Sequence, residues 1–104
     1  MRLTDLEPRW FRSDDGSVHG FTFLCPHCSM LRLGVNTTSD GAKLMHDHQR
    51  LELDAPELHV APGIGCLWHM NGTSFDDISV DPSVNANASG HWHGFIKNGQ
   101  IETV

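Results

Sequence analysis

Two runs that alternate apolar with polar or small side chains, Gly20–Cys25 and Met30–Val35, are separated only by Pro26-His27-Cys28-Ser29. Alternation with a period of two marks a strand with one face on a core, and so short a gap is a hairpin spacing. A second hairpin is written at the end of the chain. His91–Ile96 and Gln100–Val104 flank Lys97-Asn98-Gly99, and Asn-Gly between alternating runs is the strongest short-range hairpin signal. Between the hairpins the pattern is looser. Residues 36–49 are polar and rich in Gly and Asp, which reads as an exposed loop. Leu51–Ala61 holds one short strand, broken by Pro62-Gly63-Ile64-Gly65. Trp68–Phe75 contains a turn at Asn71-Gly72, and Asp77–Val80 is a short strand ended by Pro82. Helical periodicity is confined to Leu3–Trp10, where Pro8 interrupts it. One turn is expected there, capped by Thr4 with Glu7 completing a capping box. The expectation is a mostly β, small single domain over residues 1–104, zinc-ribbon-like, with a long irregular middle and little helix.

Charge narrows the partners. Thirteen acidic against seven basic residues give a formal charge of −6. Duplex binding needs clustered Lys and Arg to displace counterions, and seven scattered ones make a poor footprint. No stretch approaches the roughly 20 apolar residues of a membrane helix, and the polar, acidic start lacks the basic end and apolar run of a signal peptide. A cytoplasmic protein is expected. Three cysteines cannot make a complete disulfide framework, so in a reducing compartment the thiols are free for metal.

Metal is the chemistry that the residues suggest first. Cys25-Pro26-His27-Cys28 is a C-x-x-C unit at a hairpin tip, which is half of many structural zinc sites. A redox role would need a helix after the first Cys, and both flanks read as strands. His91 and His93 lie two apart on a strand, so both imidazoles fall on one face and can complete a four-ligand set. Cys25, Cys28, His91 and His93 are therefore the expected ligands of one Zn²⁺. Cys66 with His69, and His46 with His48, are the weaker alternatives. Trp10, Trp68 and Trp92 are read as core anchors, and Asp14, Asp15, Asp76, Asp77 and Asp81 as turn residues. No Ser-His-Asp order, nucleophile elbow or phosphate-binding glycine loop is read in the sequence, and no catalytic residue is expected.

Several motifs taken together resemble a known family. Leu6-x-Pro8-Arg9-Trp10, the Gly20–Cys28 segment followed by Arg32–Val35, Ser79–Val84 and Gly90–Gly99 are similar to an uncharacterised family of short phage and prophage proteins. Some members carry an ammonia-monooxygenase label. Nothing in this sequence supports that label, because it has neither a membrane span nor a copper or di-iron ligand set. The resemblance implies a phage origin and a Cys/His metal site, and no established activity. The family pattern has no clear counterpart of Cys66, which counts against Cys66 as a ligand.

The function expected first is a small phage-encoded protein with a structural zinc, binding or inhibiting a host protein in the host cytoplasm. The alternative is a metal-dependent hydrolase with an open zinc position, using Asp77, Asp81 or His69 as base. A nucleic-acid-binding zinc ribbon with Trp92 as stacking platform comes third, against the charge.

Overall fold

A computed structural model describes residues 1–12, 15–27, 29, 32–40, 58–60, 67–85 and 90–104. Among them the backbone forms one short 3₁₀ turn, Leu3–Leu6, and eight strands. Strands β1 (Arg9–Arg12), β2 (Val18–Leu24) and β3 (Arg32–Asn36) run antiparallel, and β4 (Leu58–Val60) adds to β3 in parallel. The second sheet is antiparallel throughout, in the order β5 (His69–Asn71), β6 (Ser79–Asn85), β7 (His93–Lys97) and β8 (Gln100–Thr103).

Both expected hairpins form, each extended into a four-stranded sheet. The β7–β8 turn places Asn98 at φ 49° and Gly99 at φ 73° between paired Lys97 and Gln100. Left-handed backbone at both central residues is what a right-twisted two-residue hairpin requires, and Asn and Gly tolerate it best. The inward side chains of both sheets make one apolar cluster. Phe21, Phe23, Leu33 and Val35 come from the first sheet, and Val80, Val84 and Ile96 from the second, with Trp92 beside them. The Phe23 and Trp92 rings meet edge to face at 6.0 Å and join the two layers. Trp10 stacks on Phe75 at 4.2 Å. All three Trp rings thus pack against this core, as their size predicts.

Four local expectations are corrected. The N-cap of the first turn is Arg2, whose backbone N–H donates to the carboxylate of Asp5, at N3, at 3.0 Å. Thr4 lies inside the turn and Glu7 is its C-cap at φ 48°, so neither takes the N-terminal capping place expected of it. Arg9–Arg12 pairs with β2 as a strand, although the sequence gives it no clear alternation. Pro82 does not end its strand. β6 continues to Asn85, with a register shift between Val80 and Val84 where Pro, lacking an N–H, is tolerated. Finally, Asn36 is fully buried as the last residue of β3 and does not belong to the exposed loop. The short strand expected in 51–61 is β4. The break at 62–65 and the rest of the irregular middle, apart from Thr37–Asp40, lie outside the described residues.

Candidate functional site

Gly94 explains how the segment His91-Trp92-His93 is presented. A Cβ built on Gly94 would sit 2.2 Å from Trp92 Cζ2 and 2.3 Å from the Glu102 carbonyl oxygen. The indole therefore lies flat over the glycine, with its N–H donated to Thr103 Oγ1 at 3.0 Å. Trp92 is 3% exposed, while His91 and His93 on either side are half-buried. Of the expected strand His91–Ile96 only the part from His93 on is strand: β7 begins at His93, and His91 and Trp92 lie in the segment that leads into it. Val104 N–H donates to the His93 carbonyl at 3.1 Å and fixes the backbone there.

His93 meets a serine. The Ser83 hydroxyl lies 3.3 Å from His93 Nε2, and both residues are half-buried. The register pairs Asn85 with His93 and Val84 with Gly94, so Ser83 is the diagonal neighbour, at a separation that a long side chain can span. Between the Val80–Ile96 and Val84–Gly94 pairs, three residues of β6 (Asp81, Pro82 and Ser83) lie against one of β7 (Phe95), which makes a bulge. Bulges re-aim side chains and recur beside active sites. The contact is at the long end for a hydroxyl hydrogen bond, as is common for a nucleophile and its base before substrate binds.

A pocket of about 370 Å³ adjoins His93, lined by His27, His91, Trp92, His93, Thr103 and Val104. The structure thus brings the tip of the first hairpin and the entry to the second to one place. Cys25 is fully buried with a free thiol, and its carbonyl accepts the Ser29 N–H at 2.8 Å across the turn. Cys28, Cys66, His46 and His48 lie outside the described residues. Among the described residues no three His, Cys, Asp or Glu side chains come together as a metal-binding group.

Of the remaining candidates, Asp14 lies outside the described residues, and Asp81, expected at a turn, stands within strand β6 because the chain stays extended through it. Asp77 Oδ1 accepts N–H groups from Thr73 at 3.1 Å and Ser74 at 3.0 Å, and these bonds hold its carboxyl below the usual range. Asp15 accepts the Ser17 N–H at 2.9 Å, and Asp76 pairs with Arg2 at 3.3 Å on the surface. Trp92 is covered and offers no face on which a base could stack. His69 is exposed on β5, opposite Asp81. No helix among the described residues is long and apolar enough to cross a membrane.

Fold and site together define a mostly β chain in which a serine hydroxyl and an imidazole are held at hydrogen-bonding distance on neighbouring strands. The chain belongs to the BubE family, described as bacterial ubiquitination-like system serine protease, whose family model matches residues 3–104. No curated protein and no solved structure matches it. The sequence pattern hides Ser83 because Pro82 reads as the end of its strand, and because the pairing depends on a bulged register. The one local signal was a serine two residues beyond Asp81 on a strand whose partner carries H-x-H.

Proposed function

We propose that the protein is a serine hydrolase of the peptidase kind, with Ser83 as nucleophile and His93 as general base. Its substrate is a protein of a ubiquitination-like system, the setting named in the family description. The observation that carries this reading is the 3.3 Å contact between Ser83 Oγ and His93 Nε2. The reaction uses the neutral imidazole with its proton on Nδ1, leaving the Nε2 lone pair free. Ser83 Oγ attacks the substrate carbonyl carbon while its proton passes to Nε2. The tetrahedral adduct collapses, the C–N bond breaks, and Nε2–H protonates the departing amine. Water then gives a proton to His93 Nε2 and attacks the acyl ester. The C–Oγ bond breaks, Nε2–H returns the proton to Ser83 Oγ, and the released acid ionises in solvent to a carboxylate. General-base assistance of this kind contributes on the order of 10²–10⁴ in rate.

A fluorophosphonate probe followed by peptide mapping tests the assignment. Ser83 is expected to carry the label, Ser83→Ala to lose it, and His93→Ala to slow it by on the order of 10²–10⁴. Label on another serine, or none on a folded protein, overturns the reading.

A second reading keeps zinc on Cys25, Cys28, His91 and His93. It is favoured by the pocket that brings His27, two residues after Cys25, together with His91 and His93. The two readings exclude each other at His93. Whichever ring nitrogen bound zinc, the other would carry the proton, and the imidazole could not accept one from Ser83. Elemental analysis alongside the labelling separates them: one zinc per chain with an unreactive Ser83 favours the second, and a labelled, zinc-free chain the first.

A further inference from the structure

We infer that Trp68 is the positioning residue that holds the Ser83 backbone in place for attack, an inference that rests on the serine-hydrolase reading. Ser83 stands on the least regular stretch of β6. On one side the bulge breaks the ladder to β7 between Val80 and Val84. On the other side the β5 pairing ends at the His69–Asp81 rung, and the next residue of β6 is Pro82, which has no N–H to offer. Backbone in such a place needs another partner.

Trp68 supplies it. As the residue just before β5, it stands where the next rung would fall, and its indole N–H donates to the Ser83 carbonyl at 3.2 Å. The indole is itself braced: Trp68 is 5% exposed, and its backbone N–H donates to the Asn36 carbonyl on β3 at 2.9 Å. The chain of contacts Asn36–Trp68–Ser83–His93 therefore runs from the first sheet through the nucleophile to its base. The register of β7 sets where His93 stands, and the indole bond sets where Ser83 stands opposite it. A nucleophile displaced by about 1 Å can lose on the order of 100-fold in rate, so this bond acts on the chemical step and leaves the encounter with substrate alone.

The test compares wild type with Trp68→Phe, which keeps an aromatic ring and removes the N–H, under a fluorophosphonate probe at increasing concentration. The expected result is a maximal labelling rate lowered roughly 10- to 100-fold, with the half-saturating probe concentration unchanged. The acid limb of the pH–rate profile, which reports His93, should stay where it is in wild type. A Trp68→Phe protein that labels Ser83 at the wild-type maximal rate overturns the inference while leaving the Ser83–His93 reading standing. A wild type that does not label at Ser83 overturns that reading instead. If Trp68→Phe does not fold, benzothienylalanine at position 68, which swaps the indole N–H for sulfur at nearly constant shape, decides the matter. Slow labelling in that folded variant supports the indole bond, and wild-type labelling refutes it.

Discussion

Gly94→Ala should be among the most damaging single substitutions in this chain, although it adds only one methyl group. The added Cβ would meet Trp92 Cζ2 at 2.2 Å and Cε2 at 2.6 Å on one side, and the Glu102 carbonyl oxygen at 2.3 Å on the other. Ordinary contact begins near 3.4 Å, so the indole and the β8 backbone must separate by about 1 Å each. The indole cannot yield freely. It is tied to Thr103 Oγ1 at 3.0 Å and set edge to face against Phe23 at 6.0 Å. Losing the hydrogen bond costs about 1 kcal/mol, losing the aromatic pair about 0.5–1.5 kcal/mol, and overpacking about 1–3 kcal/mol. The total, about 2.5–5.5 kcal/mol, is a large part of the 5–15 kcal/mol typical of a whole domain. Thermal unfolding should shift down by roughly 10–40 °C, with a matching loss of near-ultraviolet circular dichroism from the Trp92 environment. The sign is the decisive part. Glycine to alanine in an open strand stabilises by roughly 0.5–1 kcal/mol. A variant that melts at or above the wild-type temperature would show that the indole does not rest on Gly94.

Asn36 is fully buried, and among the described residues neither its side-chain oxygen nor its nitrogen has a hydrogen-bond partner. Asn36→Leu, close in shape, should therefore stabilise by about 1–3 kcal/mol, read as a rise in the urea midpoint at unchanged slope. Asp77→Asn should destabilise at neutral pH, because a carboxyl whose folded pKa is depressed contributes stability above its unfolded value near 3.8. That contribution is lost as pH falls through the lower folded pKa, so the melting curves of the two proteins should converge in strong acid; a constant gap would mean that charge is not involved. Cys25→Ala removes a buried thiol from the core and should cost about 1–3 kcal/mol if packing is its whole role. Failure to fold, reversed in the wild type by zinc, would favour the metal reading.

The sequence made the two hairpins legible because each is a local device: alternation over six residues and a turn that closes it. Phe21 and Phe23 point inward as their spacing requires, and Asn98-Gly99 turns as its chemistry requires. The Ser83–His93 pair was not legible because it is not local. It depends on β6 running through Pro82, on two extra residues opposite β7, and on a diagonal reach between strands. His93 drew notice through its neighbour His91, and Ser83 had no such companion. Cys25 and Cys28 drew notice as a zinc half-site, yet only Cys25 lies among the described residues, buried with a free thiol.

The opening of the chain is stitched to its close. Leu3 N–H donates to the Gly99 carbonyl at 2.8 Å, Ile101 N–H to the Met1 carbonyl at 2.9 Å, and Arg2 bridges Gln100. This has a consequence for the order of folding. Bringing together residues nearly a hundred positions apart closes a long loop, at an entropic cost that only contacts already made elsewhere can offset. The seam is therefore expected to form late. Shortening the fully buried Leu3 side chain, as in Leu3→Ala, should speed unfolding while scarcely slowing refolding, the mark of a contact absent from the transition state. Stopped-flow chevrons in which the refolding limb moves instead would place this junction among the first structures to assemble.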